Sequence, residues 1–299
     1  MKENQAHMRE IYFFNDHSNL NIRYRSCLIK KLSLVSLVKS VGWKNTPFSF
    51  LFGLVFSKSY GFSSNAKTNI LVLMFRSHPT VILFNGLGRF RSSKILRAIL
   101  IRLILKSRKK IVIFQNYLDY RYFRINCTSA VLWVPGSGGV RRRHPGNQAY
   151  GIVTRPEKLR LCKGALLNVS NQNFVHTSGH VNIIGIEADP KNFINSASIR
   201  YAGYVPQEQL FSLFSSLIQL PGYGEGIPHC LVDAIVSDMR VIITKKQYIE
   251  FGFYKLGFGV TELSDGWFEL ECRGLSESVR VATVNSQYME ALTQLQSFS

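Results

Sequence analysis

The sequence predicts an α/β protein of two domains, each built on a parallel sheet. Three observations carry that expectation. Strand-like apolar runs alternate with helix-like segments, as βαβ units require. Glycine-rich turns close several of the strand-like runs. The charge is also divided: residues 1–156 hold 26 Lys and Arg against 4 Asp and Glu, a net of +22, while residues 157–299 hold 11 against 14, a net of −3. A chain of 299 residues with 46% hydrophobic and 18% charged residues buries a real core and is not a disordered segment.

In order, Glu10–Asn15 reads as a strand, and Asn21–Val41 as a basic amphipathic helix carrying Leu28, Leu32, Leu34, Val35, Leu37 and Val38. Phe48–Phe56 is an apolar run expected to be buried, as strand or helix. A helix over Thr68–Phe75 and a β-branched strand over Thr80–Phe84 lead to the turn Asn85-Gly86-Leu87-Gly88-Arg89-Phe90. Ser92 or Ser93 caps the helix Lys94–Ser107. The strand Ile111–Phe114, the helix Tyr117–Phe123 and the strand Ala130–Val134 complete the first half. The break falls near 135–148, giving domains 1–145 and 146–299.

The second half repeats the alternation. Strands are expected at Ala149–Thr154, Val181–Gly185, Ser198–Gly203 and Arg240–Thr244, with a charged loop from Arg155 to Lys163-Gly164. Helices are expected at Gln207–Ile218 and Ser286–Leu295. Between Ile218 and Arg240, an apolar segment enters Pro221-Gly222-Tyr223-Gly224-Glu225-Gly226-Ile227-Pro228, and a helix-like run with Asp233 follows. Pro228 suits a helix start. The unpaired N–H groups there, at the positive end of a helix dipole, suit a phosphate. Glu225 and Asp233 would lie about 12 Å apart along a straight axis at 1.5 Å per residue.

This stretch, with Asp233-Ala234 and Val241-Ile242, resembles the donor-site segment of retaining GT-B glycosyltransferases of family 4, whose pattern is P-S-x-x-E-G-x-P followed by a second acid. Tyr201-Ala202-Gly203-Tyr204-Val205, Phe114-Gln115-Asn116 and Val134-Pro135-Gly136-Ser137-Gly138 resemble its neighbouring segments in the same order. Asn85-Gly86-Leu87-Gly88-Arg89 is similar to a G-L-G loop of the branch acting on polyprenyl-linked saccharides. The resemblance spans about residues 80–260. It implies two Rossmann-like domains facing a cleft, the first of them shortened here.

The resemblance also implies roles. Glu225 would be the catalytic residue, holding the transferred sugar and supporting charge at its anomeric carbon. Gly226, Ile227 and Pro228 would cradle phosphate, and Asp233 would take the ribose hydroxyls, although the family usually places Glu there. Arg155 and Lys163 would neutralise the departing diphosphate, with Lys158 and Arg160 as competitors. Asn85, Gly86 and Gly88 would face the acceptor. Each position has a plainer reading: a first-turn helix acid for Glu225, a solvated acid or a partner of Arg240 for Asp233, a basic loop for Arg155 and Lys163, and a tight turn for Asn85–Gly88.

The reaction implied is hexosyl transfer from a nucleotide-sugar to a lipid-linked saccharide, with retention, in bacterial surface polysaccharide (O-antigen or capsule) synthesis. No metal or other cofactor is expected, and Gly179 between His176 and His180 argues against zinc. A degenerate relative that binds nucleotide-sugar or lipid without turnover is the alternative.

No acid occurs between Asp16 and Asp119, and the run from Lys94 to Lys110 interleaves cations with aliphatics. That pattern, extended by Arg141-Arg142-Arg143, suits an anionic membrane surface rather than nucleic acid, for which no motif appears. Five scattered cysteines without a CxxC point to a reducing compartment. The polar first residues are read as lacking a signal peptide. No apolar run reaches the ~20 residues that span a bilayer. The location expected is cytoplasmic, peripheral on the inner membrane face.

Overall fold

The computed structural model describes residues 10–107, 109–127, 131–136, 146, 149–170, 172, 180–187, 198–206, 209–222, 226–264, 266–272, 279 and 281–298. They form two compact units. Unit 1 takes in 1–139, 224–227 and 279–299, and unit 2 takes in 140–223 and 228–278.

Unit 1 runs β1 (Ile11–Asn15), α1 (Ser18–Leu32), β2 (Val38–Gly42), α2 (Pro47–Leu51), a π-helical segment Phe52–Phe56, β3 (Tyr60–Ser64), α3 (Ala66–Phe75), β4 (Thr80–Phe84), α4 (Lys94–Lys106), β5 (Lys110–Phe114), α5 (Tyr117–Asn126) and β6 (Val131–Trp133). The sheet is parallel, in the order β2-β1-β3-β4-β5-β6. Strands β1, β4 and β5 are buried on both faces, which explains why they read as continuous apolar runs. Alternate residues serve opposite faces: Tyr12 and Phe14 join Phe84, Phe114 and Phe123 on one side, and Ile11 and Phe13 join Leu28, Phe62 and Tyr288 on the other.

Unit 2 holds β7 (Tyr150–Val153), α6 (Pro156–Leu161), α7 (Lys163–Ser170), β8 (Val181–Ile184), β9 (Ile199–Gly203), a 3-10 turn Leu210–Leu213, β10 (Ser216–Ile218), α8 (His229–Val236), β11 (Arg240–Thr244), α9 (Lys245–Phe251), β12 (Gly259–Ser264) and β13 (Trp267–Glu271). The order is β12-β13-β11-β10-β7-β8-β9. Five strands are parallel, and β13 and β12 add an antiparallel edge. At the sheet centre Gly151 lies against the ring of Phe214, which in turn meets Phe211 edge-on at 5.5 Å. The last helix, α10 (Val281–Gln294), packs with unit 1.

Four expectations change. The helix expected over Asn21–Val41 ends at Leu32, because Val38–Gly42 pairs with β1 in the register Ile11↔Val38 and leaves Leu34, Val35 and Leu37 exposed. The run Phe48–Phe56 is helical but largely exposed rather than buried. The loop expected between Arg155 and Lys163 is helix α6, started by Pro156 at its first turn. In place of a helix over Gln207–Ile218 stand the 3-10 turn and strand β10, since Ser216–Ile218 fills the slot between β7 and β11. Tertiary pairing overrode an amphipathic pattern there.

Candidate functional site

In both units the strand C-termini carry the polar residues, as doubly wound sheets dictate. In unit 1 strand order reverses at β1, which lies between β2 and β3. A buried amide network fills this end. Asn15 Nδ2 donates to Asn21 Oδ1 (3.0 Å) and Ser64 Oγ (2.9 Å), and Asn21 Nδ2 donates to the Phe13 carbonyl (2.9 Å). Ser63 Oγ donates to Asn69 Oδ1 (2.7 Å), and Asn69 Nδ2 donates to the Leu83 carbonyl (2.7 Å). Asp16 accepts from Thr68 Oγ1 (2.7 Å) and Trp43 Nε1 (3.0 Å). Every bond is short and internal, so the network fixes the strand ends.

Asn85 follows β4 and its Oδ1 accepts from Arg25 Nη2 (3.0 Å). Arg25 is buried in α1, with its guanidinium 5.6 Å from the Tyr288 ring centre. Gly88 has φ +54°, with open space where a side chain would stand, so glycine serves the backbone conformation there. Beyond the turn, Ser93 caps α4 by accepting from the Leu96 N–H. After β5, Gln115 Nε2 donates to the Gly136 carbonyl (2.7 Å), which also accepts from Tyr288 Oη (2.5 Å). Burial pushes the Tyr288 phenol up from its ordinary value. Asn116 caps α5 through the Leu118 and Asp119 N–H groups, and Asp119 pairs with Arg91 Nε (3.2 Å).

Gly226 and Ile227 belong to unit 1. There Gly226 meets Asn85: a Cβ at 226 would fall 1.9 Å from the Asn85 carbonyl oxygen and 2.8 Å from Gln115 Oε1. Two positions singled out separately from sequence are therefore neighbours. Ile227 is buried. Glu225, with Tyr223 and Gly224, lies outside the described residues, as do Ser137-Gly138, Arg141–Arg143, His176 and Gln207.

In unit 2, Arg155 is exposed at the C-terminal end of β7 as the cap residue of α6, and Lys163 opens α7. They stand at the starts of two different helices. Pro228 is the N-cap of α8 (φ −61°, ψ 143°), and its carbonyl accepts from the Leu231 and Val232 N–H groups (3.1 Å each). Asp233 is 3% exposed, which removes its reading as a solvated helix acid. Arg240 is not its partner: that guanidinium pairs with Glu269 (2.7 Å) and donates to Tyr150 Oη (2.6 Å).

The segment leaving β10 is held from several sides. Gln247 Nε2 and Gln219 Nε2 both donate to the Leu220 carbonyl (3.0 Å each), and Cys162 Sγ donates to the Pro221 carbonyl (2.6 Å). Gln247 is itself locked by a capping box with Thr244. Thr244-Lys245-Lys246-Gln247 is a readable T-x-x-Q motif that the strand–helix reading passed over.

No protein-family model matches this sequence, and no curated protein matches it. Solved structures do. The Anabaena protein Alr3699/HepE in complex with UDP and glucose aligns with TM-score 0.62 and 12% identity, over 95% of this chain and 99% of that one. The same protein with UDP-glucose gives the same figures, and with UDP it gives TM-score 0.61 and 12% identity over 96% and 100%. The likeness shows the fold: an α/β chain of two Rossmann-like units built mainly on parallel strands, the GT-B fold.

Proposed function

We propose that the chain is a hexosyltransferase that moves a sugar from a nucleotide-sugar to a lipid-linked saccharide at an anionic membrane surface, with retention, in bacterial surface polysaccharide synthesis. The observation that carries the reading is the stretch after β10. It is pinned at Leu220 and Pro221 and resumes at the N-terminus of α8, in a fold shared with a protein solved with UDP-glucose. In this reading Glu225 faces the transferred sugar, and Gly226, Ile227 and Pro228 approach the diphosphate. Asp233 takes the ribose, and Arg155 and Lys163 stabilise the leaving charge. Asn85, Gly86 and Gly88 approach the acceptor.

The test is transfer of label from a panel of nucleotide-sugars into membranes. Glu225→Ala should lower it about 10²–10³-fold, the loss typical of a group that stabilises transition-state charge, with the melting temperature unchanged. Full activity in that variant sinks the assignment. A wild-type chain that binds nucleotide by calorimetry, yet transfers to no membrane acceptor, would instead be a binding module.

A further inference from the structure

The apolar run Phe48–Phe56 is unusual in what it leaves outside. Phe50, Gly53 and Leu54 face the core, and the backbone approaches so closely that a Cβ at 53 would fall 2.5 Å from the Tyr12 ring. Five apolar side chains point the other way: Phe48 (88% exposed), Leu51, Phe52, Val55 and Phe56 (66% exposed). The segment is held in this pose. Buried Arg76 donates to the Gly53 and Ser59 carbonyls and to Thr80 Oγ1 (2.9 Å), and its guanidinium lies 5.2 Å from the Phe14 ring centre. A π-helical turn fixed by a buried arginine is a built feature rather than a frayed end.

The patch continues onto the neighbouring helices. α3 packs against the π-helical segment and against α4, and Met74 and Phe75 at its end are exposed. On α4 the outward face carries Ile95 and Ile99 in its first half and Arg102 and Lys106 in its second, one helical stripe at i, i+4, i+7 and i+11 spacing. Lys58 and Lys94 are exposed beside the apolar residues. The whole stretch from 17 to 118 contains no acid. Charge complementarity therefore selects the occupant. A second copy would set cation against cation, whereas a bilayer of anionic phospholipid accepts both the aromatics and the cations. Among the described residues no helix is long and apolar enough to cross a membrane.

We infer that Pro47–Phe56 is a wedge that enters the headgroup layer of an anionic bilayer, with the second half of α4 lying on the lipid phosphates. The inference deepens the membrane-surface reading proposed above and rests on it.

The test uses the whole chain and vesicles of phosphatidylcholine, with or without 30% phosphatidylglycerol, in a flotation assay. The wild type should float with the anionic vesicles only. Phe48→Ser, Phe52→Ser and Phe56→Ser together should weaken binding at least tenfold while leaving the melting temperature within ~1 °C, because these side chains are already exposed. Arg102→Gln with Lys106→Gln should weaken it roughly 25-fold, about fivefold per cation. A Phe52→Cys variant carrying an environment-sensitive dye should shift to the blue on vesicles.

A variant lacking all three aromatics that binds as the wild type does, or a dye that does not shift on bound protein, overturns the wedge and leaves the membrane reading standing. A wild type that floats with neither vesicle overturns both, while transfer to a water-soluble acceptor would still test the enzyme separately. Vesicle-free dimerisation abolished by the triple substitution overturns the wedge in favour of a second copy.

Discussion

Gly151→Ala probes the centre of the unit 2 sheet, four residues before the exposed Arg155. The new methyl would fall 2.4 Å from Cγ and Cδ1 of Phe214 and 2.6 Å from Cε1. Ordinary carbon contacts begin near 3.4 Å, so the ring must retreat by about 1 Å. It has nowhere free to go, because Phe214 is fully buried and meets Phe211 at 5.5 Å. Overpacking of this kind costs about 1–3 kcal/mol. At about 2–4 °C per kcal/mol for a protein of this size, the melting temperature should fall by about 2–12 °C. Thermal and urea unfolding measure the loss. The decisive control is Phe214→Leu, which opens the space the methyl needs. In the double variant the two costs should fall short of additivity by at least ~1 kcal/mol. An unchanged midpoint for Gly151→Ala, or strict additivity, refutes the reasoning.

Two further predictions follow from the same structure. Lys110 is buried and donates to the His78 carbonyl (2.6 Å), and burial, aided by Arg76 and Lys109, pushes its ammonium down from 10.5 to about 7. The unfolded chain then holds one more proton between about pH 7 and 10.5. Stability should therefore rise with pH across that window and be lost as pH falls back through 7. Lys110→Met should flatten the slope, as urea midpoints at pH 6 and 9 would show. At the site, Gly226→Ala sets a methyl 1.9 Å from the Asn85 carbonyl oxygen, which forces the two backbones apart by about 1.5 Å. Transfer should fall about 10²-fold, the cost of misplacing a site by an ångström, and nucleotide binding measured by calorimetry should weaken with it.

The parallel strands buried on two faces were legible because such burial leaves an apolar run, as in Thr80–Phe84 and Ile111–Phe114, whereas β2 was read as the end of a helix. Strand β3 was not legible: Tyr60-Gly61-Phe62-Ser63-Ser64 is half small and polar. Gly61 is needed because a Cβ there would fall 2.8 Å from Thr80 Oγ1, and Ser63 serves the amide network through Asn69. Strand β10 is three residues long and inherits its identity from β7 and β11. At the site, the glycine turn at Asn85 and the helix start at Pro228 carried local signals. Arg25, Gln115 and Tyr288 did not, since what unites them is convergence from α1, the end of β5 and α10 onto the Asn85 side chain and the Gly136 carbonyl. The wedge was misread for a related reason. Sequence reports that Phe48–Phe56 is apolar, but not which side of it meets protein.

The return of α10 to unit 1 has a consequence for how the chain is made. Val284, Tyr288, Ala291, Leu292 and Leu295 complete the core over Ile11, Phe13 and Phe62. Translation reaches β6 at residue 133 and α10 only at 281. At about 5–20 residues per second, that face of the first sheet has α1 but lacks α10 for roughly 7–30 s. All of unit 2 emerges meanwhile. The first unit to be synthesised is thus the last to close, and for that interval its apolar face is a target for chaperones.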